Sequence, residues 1–230
     1  MITSNCRLTS PGEEPMPRNA EATRTQLIRA AERLLAERGV DSVSLREINR
    51  EAGQRNATAL QYHFRDRPGL IRAILNKHEA GVDESRMRLL DEIEATGKPG
   101  LHRLAAALVL PESEKLSDRD GGRAYLRIVA QLVNSYRPPV DPIEEVYASE
   151  SLKRWRDLVE PEMSPVAVYP LHSRFTALRI MFVELARRAE MSRRKDDRLF
   201  GSHLIDMIAA ILGAPISSET QVLLEERARR

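Results

Sequence analysis

The chain has 230 residues, enough for a sizeable core in one large or two modest domains. Hydrophobic residues make up 42% and charged residues 30%, the balance of an ordinary soluble globular protein, and the longest apolar run, Leu104 to Leu110, is far too short to span a bilayer. A net charge of +2 excludes a strongly basic protein, but residues 22–78 hold eleven Arg or Lys against six Asp or Glu, giving +5, while residues 1–21 sum to −1 and the remainder to −2. Such asymmetry is the electrostatic footprint of a nucleic-acid binder, and also what a solvated helical face running a few charges positive looks like.

Residues 1–20 carry Pro11, Pro15 and Pro17 among polar residues and lack the basic-then-apolar layout of a signal peptide, so a disordered tail is expected. The single cysteine, Cys6, lies in it. No intramolecular disulfide is then possible, and the expected location is the cytoplasm, away from any membrane.

A first helix is expected from the capping box Thr23-Arg-Thr-Gln26, in which hydroxyl and amide side chains satisfy open backbone N–H groups. Leu27, Ala30, Ala31, Leu34 and Leu35 recur at helical spacing before Gly39 stops the run. A second box, Ser44-Leu-Arg-Glu47, opens another helix, with Val43 and Ile48 spaced as a hydrophobic staple and Gly53 as its stop. A third begins after the polar joint Gly53-Gln-Arg55, with Asn56 as N-cap. Ala57, Leu60 and Phe64 form its inner face, leaving Thr58, Ala59, Gln61 and Tyr62 outward. Asp66 caps a longer fourth helix that tolerates Pro68 in its first turn and continues toward Ile93.

Beyond Gly97-Lys-Pro-Gly100 the pattern stays helical near 101–110, 121–136, 143–159, 166–190, 196–212 and 218–229. No stretch alternates like a strand, so the fold is expected to be all-α, with residues 21–66 forming one domain and 67–230 a larger helical one.

Two helices of about two turns each are marginal alone, because nucleation is costly and few bonds repay it. A short helix with a polar outer face, docked by a tight turn on a capped partner, is the helix-turn-helix arrangement. Two turns suffice there, since the major groove admits one helix and only a few of its residues touch bases.

Residues 22 to about 75 resemble the DNA-binding domain of the tetracycline-repressor (TetR) family of transcriptional regulators. The resemblance is carried by "LIRAAERLLAERGVDSVSLREINREAG", then "LQYHF", then "RDRPGLIRAIL". Two departures stand out. The joint between Gly53 and Leu60 is one residue longer than the common pattern, and Gln61 occupies the place where the family often has Tyr, with Tyr62 following. Either Ala57 or Thr58 corresponds to the small residue that opens the family's third helix. The resemblance implies a larger domain that binds a small ligand and dimerises through its last two long helices.

Within this frame Gln61 suits adenine and Arg55 guanine, each good bidentate pair discriminating by about 1–3 kcal/mol. Solvated-face roles are the alternative for both. Tyr62 and His63 are read as phosphate contacts, His63 alternatively as packed on the next helix. Ser44 combines its cap with a phosphate contact at a positive helix end. Arg67 sits at the start of the fourth helix, where the macrodipole disfavours a cation, which suggests a phosphate partner, and the family has a basic residue there. Asn56 and Thr58 complete the candidates, with Arg24, Thr25 and Arg46 weaker and a solvated face the alternative for these three.

The histidines lack ligand spacing, and no Ser-His-Asp order, Gly-rich phosphate loop or paired carboxylates stand out, so no metal, cofactor or catalytic residue is expected. Apolar residues on the last long helices, among them Phe175, Leu178, Phe182, Leu204, Ile208 and Ile211, cover more than one core-facing stripe and suggest a dimer interface, or else a deeply buried core. A ligand cavity is expected between the fourth and middle helices, lined by Tyr125, Val129, Leu132, Val133, Tyr136, Trp155 and Met181. The resulting expectation is a homodimeric, ligand-responsive regulator, a repressor reading a pseudo-palindromic operator and released by a small molecule. The rivals are a sequence-independent DNA-architectural protein and an all-α enzyme with a degenerate DNA-binding domain.

Overall fold

A computed structural model describes residues 18–56, 58–97, 99–141, 149–192 and 196–229. The expected tail up to Pro17, with Cys6, and also Ala57 and residues 142–148 lie outside the described residues. Among those described there are eleven α-helices and no strand.

Helix α1 spans Arg18–Arg38 and so starts inside the expected tail, five residues before Thr23. Ala20 and Ala22 favour helix and Glu21 in the first turn suits the positive end of the dipole, so Thr23 and Gln26 are interior positions and not a cap. Helix α2, Leu45–Glu51, has the expected box: Ser44 Oγ accepts from the Glu47 amide at 3.2 Å, and the Glu47 carboxylate accepts from the Ser44 amide at 2.8 Å. Helix α3 is Ala59–Phe64, with Thr58 and not Asn56 at the N-cap position. Asn56 instead folds the joint, its Oδ1 accepting from the Thr58 amide at 2.9 Å and the Thr58 hydroxyl at 2.7 Å. Helix α4, Arg67–Ala95, is capped by Asp66, which accepts from the Gly69 amide at 2.8 Å. At 29 residues it is about 44 Å long and runs from the helix-turn-helix to the helices that follow.

The chain continues with α5 (Leu101–Ser113), α6 (Gly122–Asn134), α7 (Glu150–Val159), α8 (Pro165–Val168), α9 (Ser173–Glu190), α10 (Arg198–Leu212) and α11 (Ser218–Ala228). The run expected over 166–190 is broken between α8 and α9. Pro170 has no amide to carry the helix on past Tyr169, and His172 turns the chain at φ +51°.

Helix α6 packs on α9, α5 on α10, and α4 against α5 and α7. Helix α1 lies on α6, so the core runs without interruption from Leu27, Ile48, Leu60 and Phe64 to Leu108, Leu126, Met181 and Leu204. Of the residues expected at a dimer contact, Phe182, Leu204 and Ile208 are buried in this core and are not free for a second copy, whereas Phe175, Leu178 and Ile211 are half-buried. The exposed apolar residues of these helices are Ile180, Val183 and Leu199, the last 86% exposed. Periodicity marked these helices as apolar but not which sector faces in.

Candidate nucleic-acid interface and internal cavity

Helix α3 is held from behind by Leu60, Phe64 and Ala59, all buried, against Ile48 of α2. Ala59 therefore faces inward, contrary to its expected outward place, because the helix starts at Ala59 and its first turn closes onto the core. Gln61 and Tyr62 point to solvent, Tyr62 being 74% exposed, and Arg55, Asn56 and Thr58 are exposed in the joint before them. Thr25 on α1, with Ser44 and Arg46 at α2, is also exposed. Gln54 Nε2 donates to Gln26 Oε1 at 3.1 Å, tying the joint to α1. The result is a short helix whose polar side is free to enter a groove.

Two candidates stand differently. The Arg67 guanidinium donates to the carbonyls of Val40 (2.6 Å) and Val43, and so holds the turn between α1 and α2. Its cationic head at a helix start is answered by these carbonyls, and no phosphate is needed to explain it. His63 is half-buried, with its ring 5.0 Å from Tyr62 and 6.0 Å from Phe64. Burial and then the charge of Arg24 hold its pKa below the ordinary 6.5. Arg24 itself sits over the Phe64 ring at 5.3 Å.

Where α1 meets α4 and the start of α6 there is a buried polar junction absent from the expectations. Glu32 on α1 accepts from Lys77 Nζ at 3.0 Å on both oxygens, and its Oε1 lies 2.8 Å from His78 Nε2. Lys77 also donates to the Asp120 carbonyl at 2.7 Å, and His78 Nδ1 is 3.6 Å from Asp118. The ring of Tyr125 lies 4.8 Å from that of His78.

Tyr125 leads on to a small cavity among α4, α5, α6, α7 and α9, about 20 Å³ in volume. Of the residues expected at a ligand cavity, Tyr125, Val129 and Met181 line it. Trp155 does not, because its indole N–H is taken up by the Leu104 carbonyl at 2.8 Å; Tyr136 lies past the end of α6 and is 93% exposed; Leu132 and Val133 belong to the core beside it. The lining includes charged residues that were not expected, Arg86 and Glu112 chief among them. A signal for them was present: Val82, Arg86, Leu90 and Ile93 share one stripe of α4, as do Ile74, His78 and Val82, and Glu112 follows Leu108 by four residues. Charge on an apolar stripe marks a buried polar group. Among the described residues no group of three or more His, Cys, Asp or Glu is placed to hold a metal ion.

Residues 27–74 match the family model described as bacterial regulatory proteins, tetR family. The fold is similar to that of NalD from Pseudomonas aeruginosa, the secondary repressor of the MexAB-OprM multidrug efflux pump, at 22% identity and a TM-score of 0.56 over 87% of this chain and 100% of that one. A second structure of NalD, at 2.9 Å, gives 21% identity and a TM-score of 0.50 over 86% of this chain and 100% of that one. A putative TetR-family transcriptional regulator from Rhodococcus sp. is 19% identical, with a TM-score of 0.44 over 84% of this chain and 100% of that one. No curated protein matches the chain.

Proposed function

We propose, from the premise that this chain is a tetR-family transcriptional regulator with its helix-turn-helix domain in residues 27–74, that it is a repressor that binds a pseudo-palindromic operator as a homodimer and is released by a small molecule. The observation that carries the reading is the pair Gln61 and Tyr62, exposed on a six-residue helix whose opposite side is buried against α2. In a two-fold dimer, the two copies of α3 would enter successive major grooves, with Gln61 and Arg55 reading base edges and Tyr62, Thr58 and Ser44 near the backbone.

The second copy would sit on α9 and α10, where Ile180, Val183 and Leu199 are exposed beside the half-buried Phe175 and Ile211. The effector would occupy the cavity beside Tyr125 and act by its differential affinity for the operator-bound and released geometries. Gel-shift assays against the intergenic DNA flanking the gene test the reading. Specific binding, at least a hundredfold tighter than to random duplex at matched salt, is expected; equal affinity for both would leave a sequence-independent DNA binder and end the repressor reading.

A further inference from the structure

Helix α3 ends on Phe64, and the next residue is held in a tight turn. Arg65 has φ +66° and ψ −54°, and the Asp66 amide donates across it to the Phe64 carbonyl at 2.8 Å. That is a γ-turn of the rare, strained kind. Among the described residues the other non-glycine at positive φ is His172, whose ψ of +40° lies in the left-handed region that histidine enters more often than most residues. Arg65 lies outside even that region. The surroundings impose the turn. Asp66 caps α4 by accepting from the Gly69 amide at 2.8 Å, and the Phe64 carbonyl presses so close on Gly69 that a Cβ there would lie 2.0 Å from its oxygen. Glycine at position 65 would relieve the strain. The chain carries an arginine instead.

What the arginine supplies is an unpaired cation at the end of α3. Its amide still donates to the Gln61 carbonyl at 2.9 Å, which fixes its Cα one helical turn beyond Gln61. The residue is exposed, and among the described residues its guanidinium has neither a hydrogen bond nor an ion pair. The neighbouring guanidiniums are committed elsewhere: Arg67 to the carbonyls of Val40 and Val43, and Arg24 to the ring of Phe64. The adjacent carboxylate, Asp66, is taken up by its cap. Strained backbone kept under an unpartnered charge is a sign of use. A guanidinium within reach of a duplex binds phosphate oxygens bidentately, and phosphate contacts fix the register of the helix that reads the bases.

We infer that Arg65 binds a backbone phosphate of the operator and so sets the register of α3, with Gln61 one turn away at the base edges. The inference rests on the reading of the chain as a DNA-binding regulator, and it moves to Arg65 the phosphate contact that the sequence suggested for Arg67. Fold and function ask for different residues at this position. Glycine would satisfy the turn and leave the phosphate unmet, whereas arginine meets the phosphate at a cost in backbone strain.

Salt-dependent DNA binding and thermal unfolding of Arg65→Gly, Arg65→Ala and Arg65→Lys, each in the full chain, test this. The probes are the intergenic duplex flanking the gene and a random duplex of equal length, followed by fluorescence anisotropy over a KCl series. Arg65→Ala and Arg65→Gly are expected to weaken binding to both duplexes alike, by about tenfold for each protomer bound, and to reduce the salt slope by about one per protomer. Arg65→Lys should keep the slope, because the charge remains, and lose part of the affinity with the bidentate geometry. Arg65→Gly should unfold roughly 2–4 °C above Arg65→Ala, because only glycine relieves the turn. Slope and affinity unchanged in the glycine and alanine variants, or a midpoint no higher for glycine than for alanine, overturns the inference. The two duplexes keep the readings apart. Equal affinity of the unaltered chain for both ends the repressor reading, while the slopes still decide Arg65, since a phosphate contact carries no sequence. Discrimination between the duplexes with unchanged slopes removes Arg65 alone, and an unaltered chain that binds neither removes both.

Discussion

The Oε1 atom of Glu32 lies 2.8 Å from Nε2 of His78, and the two residues are 3% and 1% exposed. One lies on α1 and the other on the long α4, so a buried hydrogen bond joins the helix that packs beside the helix-turn-helix to a helix that lines the cavity. Lys77 supplies the charge that the carboxylate needs, and Gly121, at φ +95°, supplies the space, since a Cβ there would run into the Glu32 carboxylate.

Removing the carboxylate leaves Lys77 and His78 with lost partners in a desolvated site. Glu32→Ala is expected to lower stability by about 1–3 kcal/mol, read as a lower urea midpoint at unchanged slope. Gly121→Ala should move stability the same way, by crowding the same carboxylate. A midpoint unchanged in both variants would mean that the junction contributes nothing.

Gln61 and Arg67 should separate cleanly in a salt series. Gln61→Ala is expected to relax discrimination at one operator position by about 1–3 kcal/mol while leaving the salt slope unchanged. Arg67→Ala should lower stability, because two carbonyls of the α1–α2 turn lose their donor. A phosphate contact at Arg67 would instead show as a salt slope smaller by about one.

The cap of α2 titrates. Hydrogen bonds from the Ser44 amide and hydroxyl, then from Arg38, hold Glu47 at about 2, against an ordinary 4.5. A depressed folded-state pKa adds stability that is complete above the unfolded value and is lost as pH falls from about 4.5 toward about 2. Glu47→Gln should flatten the unfolding free energy across that window, and Ser44→Ala should cost about 1 kcal/mol at neutral pH.

Glu112 has the opposite sign. Burial raises its folded-state pKa, so the folded chain holds the proton more tightly than the unfolded one, and stability declines as pH rises from the ordinary carboxyl value through the raised one. Glu112→Gln has no proton to lose, and its stability should fall less over that range. Parallel pH profiles for the two chains would contradict this.

The proposed dimer face rests on exposure. Leu199→Glu and Val183→Glu are expected to yield folded monomers in sedimentation, because each places a charge where the second copy would press. Ile208→Glu, in the core, should abolish folding itself.

The helical class, the α2 box at Ser44 and Glu47, the Asp66 cap and the outward Gln61 and Tyr62 were legible in the residues alone. These features are settled within one or two turns of chain, by periodicity and by side chains bonding their own backbone. Neighbouring residues can mislead at the same range, as the box at Thr23 did once the alanines before it extended α1. The partners of Glu32, His78, Arg86 and Glu112 were not legible, although their places on apolar stripes were. Glu32 and His78 are 46 positions apart, and Arg86 and Glu112 are 26 apart. Only the packing of α1, α4, α5 and α6 brings them within reach. The same packing decides that Phe182, Leu204 and Ile208 face inward while Ile180, Val183 and Leu199 remain outside, because a stripe shows that a side leaves water but not which surface covers it.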